Sequence, residues 1–320
     1  MRRFLLRVIL FCVLQLAAMF VFRGSSLPGE NNYLARTIEK HHRLRETRVP
    51  RIILVGGSNV SFGFVAEELN RGLGVPVVNM GLVAALGLEF MLKEIRGSVG
   101  PGDVVLLSPE YDFGGGGRDL QVLRQLLELR PESARFVSVR DWTKDFADTA
   151  VNWYGAYLQR AVLKRGMTTE VEEGGFRRDG FDDANCYVAH HGRPSPILTN
   201  AIEGKLIVKT VVHPLENHVF EMLAEFVAHC GRAGAICVYS CPPQPPDLQK
   251  TNIPATQKLV EQLKRVEGLI IIDSPEEHIY PLEQFYDTQY HLTKEGAVRR
   301  SRFIAERLQA WLPAGSAVRE

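Results

Sequence analysis

The sequence predicts an α/β protein, a three-layer sandwich of helices around a mainly parallel five-stranded sheet, with a largely helical insertion. Three observations predict it. Short apolar runs rich in Val and Ile recur, each stopped by glycine or proline. Amphipathic stretches of helical period separate them. The runs show little polar alternation, as expected of strands covered on both faces. At 320 residues the chain suffices for one large domain or two ordinary ones. It is 45% hydrophobic and 23% charged, ordinary globular material, and a net charge of +1 gives no electrostatic field for nucleic acid. No internal repeat is visible.

Residues 1–23 stand apart. Arg2, Arg3 and Arg7 precede an apolar run from Val8 to Phe22, closed by Arg23. Those fifteen uncharged residues fall short of the about 20 that a span needs. Counting from Phe4, with Arg7 snorkelling to the headgroups, gives nineteen. Phe20, Val21, Phe22 and Arg23 are too bulky for a small-x-small cleavage site. The segment reads as an uncleaved signal-anchor with residues 4–22 in the membrane and the body outside, in the periplasm or at the cell surface. The far flank is basic as well (Arg36, Lys40, Arg43, Arg45, Arg48), which opposes that orientation. Residues 24–50 read as a polar linker and a juxtamembrane helix, Asn32 to Glu46. Its neighbouring His41 and His42 point in different directions and belong on a solvated face.

The α/β domain is expected over 51–313, followed by a tail, 314–320. Arg51 to Val55 is the first strand, stopped by Gly56-Gly57. Ser58 and Asn59 follow, then Gly63 and an amphipathic helix from Phe64 to Leu73. Val75 to Gly81 holds the second strand, and Leu86 to Val99 a helix. Asp103-Val-Val-Leu-Leu-Ser108 is the third strand, closed by Pro109 ahead of Glu110. Ala235 to Ser240 and Leu269 to Asp273 are the fourth and fifth, with helices at about 214–231, 255–266 and 293–312.

Residues 114–195 break the rhythm. They open on four glycines, carry helical runs (Leu120 to Leu129, Ala147 to Lys164) and form an insertion capping one end of the sheet. Its His190-His191 pair reads as solvated loop. Cys12 lies in the anchor. No Cys-x-x-Cys pair exists among Cys186, Cys230, Cys237 and Cys241, so a structural zinc site has weak support. Export would permit one or two disulfides, although Cys237 lies in a strand and reads as a small apolar residue.

Two stretches carry chemistry. A serine just beyond a strand and a glycine turn sits where open α/β sheets bind ligands, so Ser58 is a candidate nucleophile or, equally, a helix N-cap. Near the other end, Asp287 precedes His291 by four residues. If they share one side of a turn, Asp287 accepts the Nδ1–H, fixes the tautomer and leaves Nε2 as a base.

Together these blocks resemble the SGNH (GDSL-type) hydrolases, over residues 51 to about 310 with the insertion unmatched. Gly56-Gly57-Ser58-Asn59 through Gly63 looks like the nucleophile block, implying Ser58 as nucleophile and its N–H as an oxyanion donor. Val78-Asn79-Met80-Gly81 resembles the second block, implying Gly81 N–H as another donor. Asp287 to His291 looks like the last, implying the acid and the base. The third block departs: Glu110 follows the third strand where the family has an oxyanion-donating Asn. A carboxylate there repels a developing oxyanion, and losing one donor costs about 2.7–4 kcal/mol. Burial that protonates Glu110, a turn of Glu110 toward a substrate hydroxyl, or a substitute amide from Asn59 or Asn79 would relieve it. Gly57 replaces the family's Asp, and the Asp–His spacing is four rather than three. The resemblance implies a serine esterase or O-acyltransferase acting on ester groups, acetyl above all, of small molecules or cell-surface carbohydrate, with neither metal nor organic cofactor. The alternative is a non-catalytic relative of the same fold that binds a glycan or a protein. The nucleotide-binding motifs Gly-x-Gly-x-x-Gly and Gly-Lys-Ser/Thr are missing.

Overall fold

A computed structural model of the chain describes residues 1–23, 31–116, 118–138, 175–202 and 212–311, with side chains only to residue 14 in the first stretch. Five parallel strands form one sheet: β1 (Ile52–Val55), β2 (Val77–Asn79), β3 (Val104–Leu107), β4 (Ile236–Tyr239) and β5 (Leu269–Ile271). Their order across the sheet is β2-β1-β3-β4-β5. The register is set by Ile53, which faces Val78 on one side and Val105 on the other. All five match the expected strands to within two residues. The chain leaves β1 in one direction toward β2 and returns to the other side for β3. The carboxyl ends of β1 and β3 therefore flank the topological switch point, where doubly wound sheets open a crevice.

Helices follow in chain order: α1 (Arg2–Arg23), α2 (Thr37–Glu46), α3 (Ser58–Phe62), α4 (Ala66–Leu73), α5 (Leu88–Arg96), α6 (Leu120–Leu129), α7 (Pro196–Ile202), α8 (Asn217–Arg232), α9 (Pro246–Leu263) and α10 (Lys294–Leu308). Strand residues alternate between two apolar layers, as the pleat requires. Ile53, Val55, Val105 and Leu107 pack with Leu92 and Ile95 of α5 and with Leu223 and Phe226 of α8. Ile52, Leu54, Val104 and Leu106 pack with Leu69 and Leu73 of α4 and with Ile304 and Leu308 of α10. Both faces of the sheet are covered, which explains strands without polar alternation.

Several expectations are corrected. Residues 32–46, expected as one helix, form a 3₁₀ turn followed by a helix, both packed into the core. Asn32 caps a short 3₁₀ turn, Tyr33–Arg36, and α2 continues from it with Leu34 and Leu44 in the main core. Buried Arg51 ties this segment down, donating to the carbonyls of Leu44, Thr47 and Ser98 beside Asp103. His41 is buried rather than solvated, 2.6 Å from Glu94 and stacked on Phe136, whereas His42 is exposed. His190 is also buried, its Nε2 donating to the Leu292 carbonyl at 2.8 Å. The expected helix after Pro254 instead begins at Pro246 and runs through Pro254, whose ring is exposed. Cys186, Cys230, Cys237 and Cys241 are buried free thiols.

The anchor expected over 4–22 and the insertion helix expected at 147–164 fall partly or wholly outside the described residues. Among those described, no helix is long and apolar enough to cross a membrane. The described part of α1 exposes Phe4, Leu6, Ile9, Leu10, Phe11 and Leu14.

Lys40 on α2 is fully enclosed. Its ammonium donates to the carbonyls of Asn79 at 3.0 Å and Asn185 at 2.9 Å and lies over the Phe181 ring. Burial pushes it down from 10.5 to about 7. Between those values the unfolded chain binds the proton and the native protein does not, so stability from this group rises as pH rises through that window. Denaturant unfolding at pH 6–10 should show wild type gaining on Lys40→Met above pH 7, with the two parallel below it. Parallel curves throughout would contradict the burial argument.

Candidate functional site

The site is built where β1, β3 and the segment before α10 meet. β1 ends at Val55, Gly56 and Gly57 turn the chain, and α3 begins at once with half-buried Ser58. β3 delivers Glu110 three residues beyond its last strand position, directly opposite. The Glu110 carboxyl, 4% exposed, gathers the turn. It accepts the Gly57 N–H at 3.1 Å on one oxygen, and the Asn59 N–H at 3.0 Å and Ser58 Oγ at 3.3 Å on the other. Burial raises its pKa above the usual carboxylate range, opposed by the Asn59 N–H bond and by nearby His291, and reinforced by Asp112. Of the three consecutive amides, the Ser58 N–H has no hydrogen-bond acceptor among the described residues.

Gly57 is required by this contact. A Cβ there would overlap both Glu110 carboxyl oxygens and stand 2.6 Å from the Ala84 backbone nitrogen. Because one obstacle is backbone, the neighbours cannot all swing aside. Gly57→Ala is expected to cost about 1–3 kcal/mol in urea unfolding, and Gly57→Asp more, since it sets a second carboxyl against Glu110. Wild-type midpoints in both variants would contradict this geometry.

Asp287 and His291 meet. Nδ1 of His291 lies 2.7 Å from Asp287 Oδ1. The four-residue spacing is bridged by a tight turn rather than a helical one. Tyr286 N–H donates to the His291 carbonyl at 2.7 Å, and Thr288 Oγ1 accepts the His291 N–H. The imidazole lies flat on Phe62, centroids 3.9 Å apart and planes within 8°, and Phe176 of the insertion meets its edge. Phe62 stands four residues after Ser58 on α3, so this stacking holds His291 against the same short helix that carries the serine. His291 Nε2 has no hydrogen-bond partner among the described residues and keeps contact with solvent. No hydrogen bond joins it to Ser58, whose hydroxyl is turned to Glu110.

The other expected residues are in the neighbourhood but committed elsewhere. Gly81 N–H donates to Asn79 Oδ1 at 2.9 Å, and Asn79 Nδ2 donates to the Val60 carbonyl. Asn59 Nδ2 donates to the Ser108 carbonyl at 2.8 Å. Both amides fix backbone. The turn also rests on a residue that sequence reasoning missed. Arg300 of α10 is fully buried, donates to the Asn59 carbonyl at 3.1 Å and to Ser108 Oγ at 2.6 Å, and lies over the Phe64 ring. Its one legible signal was its place on the buried stripe of α10 with Ala297 and Ile304. Tyr290 joins the two loops, its Oη accepting the Tyr111 N–H.

Chemically, the site offers a serine hydroxyl at a glycine turn, one open amide beside it, a carboxylate-oriented imidazole and a second, buried carboxyl. Among the described residues no three His, Cys, Asp or Glu side chains are grouped to hold a metal ion. No protein-family model matches the chain, and a search of curated proteins returns no match.

Proposed function

We propose that this chain is a serine esterase or O-acyltransferase of SGNH type, anchored to the membrane by residues 4–22 with its α/β domain outside the cytoplasm. Its substrates are esters, acetyl esters of cell-surface carbohydrate first among them. The supporting observation is the Asp287–His291 bond of 2.7 Å held on Phe62, one turn of α3 from Ser58. Ser58 attacks the ester carbonyl, the Ser58 N–H receives the oxyanion, and His291, fixed by Asp287, exchanges protons with the leaving group and with the incoming water or sugar hydroxyl. The anchor is supported by a helix whose described side chains from Val8 to Leu14 are all exposed and uncharged.

A second reading has its own observation. Glu110 fills two of the three turn amides, as in a domain of this fold given over to binding a glycan or protein. Hydrolysis of p-nitrophenyl acetate separates the two. The esterase reading expects turnover by wild type that falls at least a hundredfold in His291→Ala. Turnover no faster than buffer by a folded protein leaves the binding reading.

A further inference from the structure

The esterase reading gives His291 the proton work, yet the hydroxyl of Ser58 is not turned to it. Ser58 gives its hydrogen bond to Glu110, at 3.3 Å, and no other acceptor for it lies among the described residues. The carboxylate is held for this contact from both sides, since one oxygen takes the Gly57 N–H and the other takes the Asn59 N–H beside the serine. The charged groups facing it are Arg300 from α10, His291 from the turn before that helix, and Asp112 two residues on. A buried carboxyl whose proton affinity lies above the usual range is also a stronger base than a solvated one.

We propose that Glu110 is the general base for Ser58, so that the site divides its proton transfers between two groups. The inference rests on the esterase reading above. In acylation the Ser58 proton passes to Glu110 while the Oγ–carbon bond forms. The ester carbon–oxygen bond breaks, and the leaving alkoxide takes a proton from the His291 imidazolium. In deacylation neutral His291 takes a proton from the attacking water or sugar hydroxyl. The acyl–Oγ bond breaks, and Ser58 recovers its proton from Glu110. The cycle closes, with the proton taken by Glu110 returned to Ser58 and the proton given by His291 regained.

Two reagents isolate the first half-reaction, because p-nitrophenolate and fluoride depart without a proton donor. In pre-steady-state assays of the full chain with p-nitrophenyl acetate, His291→Ala should release about one equivalent of p-nitrophenolate and then stall. It should also remain within about tenfold of wild type in fluorophosphonate labelling. Glu110→Gln should show no burst and label about 10²–10⁴-fold more slowly, with Glu110→Asp recovering part of the rate. If Glu110→Gln is misfolded, His291→Ala decides alone, since its burst requires a base other than His291. Loss of burst and label in His291→Ala overturns the proposal and leaves the esterase reading standing, as does a wild-type burst in Glu110→Gln. A wild type that neither turns over nor labels overturns both.

Discussion

Ser58→Ala abolishes turnover of p-nitrophenyl acetate and leaves the protein folded, with a stability loss of no more than about 1.5–3 kcal/mol. The two halves of this expectation have different origins. The side chain is half-buried, and its hydrogen bond runs to Glu110, which retains the N–H groups of Gly57 and Asn59 when the hydroxyl is removed. The structural loss is thus one hydrogen bond to a charged group, about 1.5–3 kcal/mol at most. The chemical loss is far larger. Without Oγ no acyl-enzyme forms, and the remaining amide and imidazole can only promote direct attack by water. Deleting a nucleophile that works in such a unit costs about 10⁴–10⁶ in kcat. Steady-state rates with denaturant unfolding of the same sample measure both halves. A variant that unfolds like wild type and still turns over at a comparable rate would remove Ser58 from the chemistry.

Arg300→Met destabilises the protein by about 3–5 kcal/mol, a cost typical of breaking a buried charged network. The guanidinium is fully enclosed, and burial lowers its pKa to about 10 while Tyr280, Asp273 and Glu110 hold it charged. Removing it strands the Asn59 carbonyl and Ser108 Oγ, each a buried acceptor worth about 1–3 kcal/mol when left unpaired. Methionine restores some packing on Phe64 but none of those bonds. Because Asn59 adjoins the nucleophile and Ser108 precedes the Glu110 loop, the variant should also lose fluorophosphonate reactivity under conditions where it is still folded. Arg300→Lys keeps the charge without the planar fork and should fall between the two. Urea unfolding midpoints equal to wild type would show that Arg300 is a spectator.

The residues that were legible in the sequence are those whose signal is local. Arg51 to Val55 announces a buried strand by its own composition, and Gly56-Gly57 announces the turn that ends it. The parallel sheet follows from such runs, because only helix-covered parallel strands can be apolar on both faces. Ser58, Asp287 and His291 were legible as residue types at the two ends of that pattern, and Glu110 as the wrong type after β3. What escaped depends on which distant surfaces meet. α3 begins directly on the glycine turn with Val60 and Phe62, poor helix formers, and long-range bonds hold it: Asn79 to the Val60 carbonyl and Ser61 to the Gly81 carbonyl. His41 looked solvated because its partner Glu94 lies on α5, fifty-three residues away. The packing of His291 against Phe62 and Phe176 joins three remote segments. Glu110 could be seen to be anomalous, but its grip on the amides flanking Ser58 appears only when β1 and β3 lie side by side.

The most direct measurement is the mass and position of the adduct formed when the full chain reacts with a fluorophosphonate. One phosphonyl group per chain is expected, mapped by peptide sequencing to Ser58 and missing from Ser58→Ala. A folded protein that gains no adduct, or gains one elsewhere that persists in Ser58→Ala, would contradict it.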